Sequence, residues 1–245
     1  SNDVVGEYLM DLIDRSLVTT AATSSKGEIK ACRIHDLLHD FCLAKAKEEN
    51  FFQWVHGHDV SYHSPIPKVY DEYRLCISSE WEQFIHSRPA GPGVHSLLVS
   101  GIHVERCQHS KMTSFFLGFK FLYVLDLECI YVDDFFPEEI ILMIHLRYLA
   151  IWCCTNYIPS SIETLWNLET LIVKGARIYS IPLPDTIWEM KSLRHVDIPT
   201  MSFRDYENDE SCQLQNVETF ATPTLTSGKD TEELLRRLPR LRKLK

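Results

Sequence analysis

Four residues set the first chemical question: Cys32, His35, His39 and Cys42 form a C-x2-H-x3-H-x2-C spacing built from zinc-ligand types. His35, His39 and Cys42 would share one face of a helix, whereas Cys32 falls in the extended run before it. A structural zinc site usually gathers its ligands from two separated knuckles, so no metal site is expected. The His-Asp doublets at 35–36 and 39–40 raise a second option, a metal-dependent phosphohydrolase. That chemistry needs further His and Asp ligands from other helices, and the rest of the chain offers no helices long enough to present them. No nucleophile–base pair has usable context, and no G-x-x-x-x-G-K-[ST] phosphate loop is present. The residues do not read as an enzyme. Arg236, Arg237, Arg240, Arg242, Lys243 and Lys245 crowd the C-terminal end, where they suit an anionic partner or, more simply, a solvated face of a terminal repeat. A formal net charge of −9 argues against a nucleic-acid binder.

The elements that must position these groups follow from periodicity. Val4 through Leu17 has an amphipathic helical pattern, with Val5, Tyr8, Leu9, Leu12, Ile13 and Leu17 on one side. Two apolar runs, Ser16–Thr20 and Ile29–Ile34, flank a turn-forming stretch and predict a hairpin, the wing of a winged-helix module. A second helix should run from about Asp36 to Glu49, with Asp36 as its N-cap and Leu37, Leu38, Phe41 and Leu43 as apolar cover.

The rest of the chain repeats. Six segments share the form apolar-x-x-apolar-x-apolar: Val94-Leu97-Val99, Leu122-Leu125-Leu127, Leu146-Leu149-Ile151, Leu168-Leu171-Val173, Leu193-Val196-Ile198 and Val217-Phe220-Thr222. A seventh begins at Leu241 and Leu244, and an earlier strand is expected at Tyr73–Ser78 through Leu75 and Ile77. This period is that of leucine-rich repeats. Apolar residues six and three positions upstream of the strands, a pattern broken at Ser211, predict a short helical or 3₁₀ turn, entered through Phe136-Pro137, Ile158-Pro159 and Leu183-Pro184. The fold class is therefore α/β: a leucine-rich-repeat solenoid with a parallel sheet on its concave face, preceded by part of a winged-helix domain. The alternate strand positions should face the concave side, namely Tyr123, Val124 and Asp126; Arg147, Tyr148 and Ala150; Glu169, Thr170 and Ile172; Arg194, His195 and Asp197. They form either a binding surface or a solvated sheet face.

The expected domains are 1–52, the C-terminal part of the winged helix; 53–70, a linker containing Pro65 and Pro67; and 71–245, the repeats, incomplete at the C-terminus because the last apolar face has no cap. Eight cysteines make no regular framework. With no apolar run long enough to span a bilayer and no signal peptide, reduced thiols in the cytoplasm are expected.

The stretch Cys32-Arg33-Ile34-His35-Asp36-Leu37-Leu38-His39-Asp40-Phe41 resembles the Met-His-Asp motif of plant nucleotide-binding, leucine-rich-repeat resistance proteins. With residues 41–52, FCLAKAKEENFF, it looks closest to their coiled-coil class, in particular the late-blight-resistance-like proteins of nightshades. Tyr8–Val18 and the repeat text of His145–Glu169 are similar to the same family, so the resemblance covers essentially the whole chain. Ile34 stands where the motif names Met. The resemblance implies that His35 contacts the β-phosphate of bound ADP, that Ile34 and Asp36 complete the motif, and that ADP or ATP binds only in a full-length parent. No cofactor is expected for this chain alone. It further implies an ADP/ATP-gated immune switch whose repeats serve recognition and autoinhibition. The implied partners are its own nucleotide-binding domain and a pathogen effector or guarded host protein, with peripheral membrane association of the parent allowed. The alternative is a leucine-rich-repeat adaptor or substrate receptor of a ubiquitin ligase.

Overall fold

A computed structural model describes residues 2–23, 27, 29–56, 68–78, 81–101, 105–106, 109–132, 136–155, 157–175, 181–202, 213–223, 232 and 235–244. The chain divides into two compact units, Ser1–Phe52 and Gln53–Lys245.

In the first unit, α1 (Asn2–Asp14) leads into β1 (Val18–Thr23), β2 (Ile29–Ile34) and α2 (Asp36–Glu48). α1 stops short of Leu17 because Ser16 takes a left-handed φ of 60° while its N–H closes onto the Ile13 carbonyl at 2.8 Å. β1 and β2 pair antiparallel from Val18↔Ile34 to Thr23↔Ile29, forming the expected hairpin. The expected apolar cover is uncovered in this unit. Tyr8, Leu37 and Phe41 are 68%, 83% and 60% exposed, and no residue of α2 is buried.

The second unit is a parallel sheet. Its strands are β3 (Gln53–Val55), β4 (Arg74–Ile77), β5 (Ser96–Val99), β6 (Glu105–Arg106), β7 (Val124–Tyr131), β8 (Tyr148–Trp152), β9 (Thr170–Lys174), β10 (Ile181–Pro182), β11 (His195–Ser202), β12 (Thr219–Pro223) and β13 (Lys243–Leu244). The hydrogen-bonded order is β13-β12-β11-β9-β8-β7-β5-β4-β3, with β6 beside β7 and β10 beside β11. The strand expected around Leu75 and Ile77 is β4, which pairs Leu75 with Leu97 and Ile77 with Val99. The expected linker is corrected at its start: Gln53–Val55 is a strand paired with Leu75–Ile77, and Val55 is buried. Joining the sheet satisfies its backbone groups and covers the Val55 side chain. Pro65 and Pro67 lie outside the described residues.

The repeat pattern becomes a single core. Leu97, Leu125, Leu149, Leu171, Val196 and Phe220 occupy one register row, and all are buried. Each such side chain contributes about 1.5–3 kcal/mol when removed from water. Behind the later strands lie three 3₁₀ turns, Glu138–Leu142, Ser160–Thr164 and Asp185–Glu189, with Pro137, Pro159 and Pro184 in the extended position just before each. Their central Ile140, Ile162 and Ile187 point into the core. The early repeats take the helical form of the expected turn, with α3 (Trp81–His86) and α4 (His109–Gly118). There Trp81, Phe84, Phe115 and Phe119 pack in stacked, tilted and edge-on pairs with ring centroids 5.0–6.4 Å apart.

Candidate functional site

The motif region sits at the junction of β2 and α2. His35 continues out of the hairpin, its N–H donating to the Leu17 carbonyl at 3.2 Å, while its own carbonyl accepts from Leu38 and His39. Its backbone is extended, with φ −62° and ψ 138°, and its Nδ1 accepts the Leu37 N–H at 3.3 Å. His35 is therefore the N-cap, and the expectation that Asp36 caps the helix is corrected. A cap must leave the helix at its own ψ while its carbonyl enters the first helical bond, and His35 meets both conditions. Asp36 is the first helical residue, where its carboxylate complements the helix dipole.

The cap also fixes the ring. An Nδ1 that accepts a hydrogen bond carries no proton, so neutral His35 holds its proton on Nε2 as a donor. His35 is exposed, as is Ile34 beside it. His39 Nδ1 contacts its neighbour Asp40 at 3.4 Å on the surface, so the second His-Asp doublet is a local pair. Among the described residues, no three His, Cys, Asp or Glu side chains gather as a metal site.

The sheet face resolves into rows that follow the strand registers. One row lies just before the strands: Tyr73, His95, Tyr123, Arg147, Glu169, Arg194, Glu218 and Arg242. From His95 onward, each N–H donates to the carbonyl of the preceding member at 2.8–2.9 Å. The first members form an aromatic run, with His95 5.4 Å from Tyr73 and 5.0 Å from Tyr123. Arg147 lies 5.9 Å from the Tyr123 ring centroid and begins an alternating charge series. Its links are Arg147–Glu169 at 3.7 Å, Glu169–Arg194 at 3.8 Å, Arg194–Glu218 at 4.0 Å and Glu218–Arg242 at 3.9 Å. Tyr123, Arg147, Glu169 and Arg194 therefore belong to one line of contacts.

Tyr148 and His195 sit in the next row, flanking Thr170, while Asp126 and Asp197 sit one pleat further along. Ala150, expected to face outward, is fully buried between Asp126 and Ile172, because its methyl group lies below the level of the longer neighbours. Burial raises the Asp126 carboxyl above its ordinary value, opposed by the Glu128 N–H that it accepts at 3.1 Å. Burial, then the charges of Asp126 and Glu128, lift the Tyr148 hydroxyl to about 12. Sequence reasoning missed the neighbours that complete this centre. Lys174 reaches across β8 to pair with Glu128. Burial raises the Cys76 thiol, whose sulfur lies 3.5 Å from the Ser100 hydroxyl. The signal was present in the repeat itself, because Glu128 and Lys174 each directly follow the third apolar residue of their motif, Leu127 and Val173.

The sheet face thus presents an aromatic run followed by alternating charges. A family model described as leucine-rich repeat region matches residues 99–245. The chain belongs to the leucine-rich-repeat family. A second family model, the disease resistance protein winged helix domain, matches residues 1–42 of this leucine-rich-repeat chain. Late blight resistance protein homologs R1B-14 and R1B-16 of Solanum demissum are 39% and 40% identical to it, each over 99% of the chain. Late blight resistance protein R1-A of the same species is 35% identical, also over 99%. The chain spans 18%, 19% and 20% of those three proteins, about a fifth of their length. A solved leucine-rich-repeat protein of Leptospira interrogans overlays 72% of the chain and 54% of its own length, with a TM-score of 0.37 and 15% identity. The homology is thus to plant disease-resistance proteins along the whole chain, with a winged helix followed by repeats.

Proposed function

We propose that this chain is the restraining and sensing part of an intracellular plant immune receptor that is switched by exchange of ADP for ATP. The observation that supports it most directly is His35: a surface imidazole held by its own helix through Nδ1, which leaves Nε2 as the donor, inside the segment that matches the resistance-protein winged helix. A donor held in that way suits a phosphate oxygen, since hydrogen bonds to anionic acceptors are shorter and stronger than neutral ones. In the parent protein, ADP would bind in a nucleotide domain, with His35 supplying one contact and Ile34 and Asp36 setting the local geometry. The repeats would lie against that domain at rest. The graded sheet face, with Tyr123, Asp126, Arg147, Tyr148, Glu169, Arg194, His195 and Asp197, would meet an effector or a guarded host protein. The site of action is the cytoplasm.

The test is nucleotide retention in the full-length parent. Replacing His35 by Ala should cause loss of co-purifying ADP and raise resting cell-death activity in leaf tissue. Retention of ADP at the wild-type level in that variant would sink the reading.

A further inference from the structure

The strands of the repeat unit are entered through two-residue turn tips, stacked in register along one rim. From β7 to β13 the tips are Lys120-Phe121, Ile144-His145, Trp166-Asn167, Lys191-Ser192, Gln215-Asn216 and Pro239-Arg240. From Ile144-His145 onward each tip is closed by a backbone bond, such as Leu168 N–H to the Leu165 carbonyl at 2.8 Å. Neighbouring tips are also tied together. Asn167 Nδ2 donates to the Ile144 carbonyl at 3.1 Å, Asn216 Nδ2 to the Lys191 carbonyl at 2.9 Å, and Arg240 to Asn216 Oδ1 at 3.2 Å. The rim is a braced edge about 25 Å long, taking the spacing of adjacent strands as roughly 4.8 Å.

Two properties mark this edge. Phe121, Ile144 and Trp166 project from consecutive tips, 49%, 45% and 63% exposed, and form one apolar stretch. Such a contiguous patch marks an interaction site, whereas single exposed apolar residues do not. Charge is also segregated. The tips carry Lys120, Lys191 and Arg240 with no carboxylate. The three 3₁₀ turns behind them carry Glu138, Glu139, Glu163, Asp185 and Glu189 with no Lys or Arg. On a chain of net charge −9, one edge is thus cationic, and Lys120 and Lys191 bracket its apolar centre.

We propose that this rim docks on an anionic phospholipid surface. Phe121, Ile144 and Trp166 enter the headgroup layer, while Lys120, Lys191 and Arg240 lie over the lipid phosphates. Protruding corners favour a bilayer over a folded protein, because each apolar tip would need its own matching pocket in a protein and none in lipid. Nucleic acid could use the cations but would gain nothing from Ile144. Trp at headgroup depth and Lys beside it are the side chains that membrane interfaces select. This inference does not depend on the proposed nucleotide switch.

The test is sedimentation of the 245-residue chain with vesicles of equimolar phosphatidylcholine and phosphatidylserine, alongside phosphatidylcholine alone. Binding is expected to the mixed vesicles, weakening as salt rises. Lys120→Gln and Lys191→Gln should each lower affinity about fivefold. Ile144→Ser with Trp166→Ser should abolish binding without changing the circular dichroism spectrum. Lipids brominated in the chains should quench a part of the tryptophan emission that disappears in Trp166→Phe. No binding to the mixed vesicles at low salt would overturn the proposal. So would binding that ignores the tip substitutions, or capture of soluble polyanions at the same affinity with no quenching.

Discussion

Arg147 and Glu169 are joined twice: the Glu169 N–H donates to the Arg147 carbonyl at 2.8 Å, and their side-chain charges meet at 3.7 Å. The backbone link fixes the repeat spacing, and the side-chain link adds an exposed ion pair on top of it. Exposed pairs contribute about 0–1 kcal/mol. Glu169→Ala should therefore lower stability by less than about 1 kcal/mol. Glu169→Lys places a third cation between Arg147 and Arg194, so it should destabilise more, and added salt should recover the difference. Urea unfolding at low and high ionic strength measures both; equal losses for the two variants would contradict the charge series.

The cap and donor roles of His35 can be separated. His35→Ala should weaken α2 by about 0.5–2 kcal/mol, whereas His35→Asn, whose side chain also caps well, should keep most of the helix. Helical circular dichroism of the two variants reports the cap, and ADP retention in the parent reports the donor. If His35→Ala leaves helix content and melting unchanged, the Leu37 contact is not a cap.

Asp36 acts through the first turn of α2. Asp36→Val removes a charge that complements the helix dipole, at a cost of about 0.3–1 kcal/mol. In a switch with balanced states, that shifts the population severalfold. Raised resting activity of the parent is the expected result, and Asp36→Glu should restore it.

Gly175 has no room for a side chain, since a Cβ there would meet the Cys153 carbonyl oxygen at 2.3 Å. That oxygen belongs to the backbone next to β8 and cannot swing aside. Gly175→Ala should cost at least about 1–3 kcal/mol, the usual range for overpacking. Wild-type urea stability in this variant would mean that the two loops can separate.

Tyr148 gives a pH signature. Its hydroxyl rises from the ordinary 10.0 to about 12 in the folded chain, so its contribution to stability is complete below pH 10 and is lost as pH climbs toward 12. Subtracting the alkaline absorbance titration of Tyr148→Phe isolates the group. Asp126→Asn removes one of the charges that raise it, so the Tyr148 midpoint should fall in that variant. A midpoint at 10 in the wild type would refute the burial account.

What the sequence made legible follows from how each residue is constrained. Leu125, Leu149 and Leu171 could be read because every repeat must bury the same position against its neighbour. Leu75 and Ile77 could be read as a strand by spacing alone, and the three prolines marked the 3₁₀ turns. The cap could not, because Asp is the commoner capping residue and the choice turned on the ψ of His35. β3 was missed because Val55 is the lone buried side chain in its three residues. The Lys174–Glu128 pair was missed because its partners stand 46 residues apart and meet only after two strands have stacked. The sequence also placed Arg237 among a surface cluster, yet it is buried and lies 5.1 Å from the Trp188 ring centroid.

The aromatic cluster of Trp81, Phe84, Phe115 and Phe119 gives the repeat unit a polarity that its periodic text conceals. Repeats that share only aliphatic contacts with their neighbours can open one at a time, whereas rings interlocked across α3 and α4 must open together. Amide protons of β4, β5 and β7 should therefore exchange last, and a chain pulled from both ends should surrender its later repeats first. The early repeats are the anchor from which the others are strung.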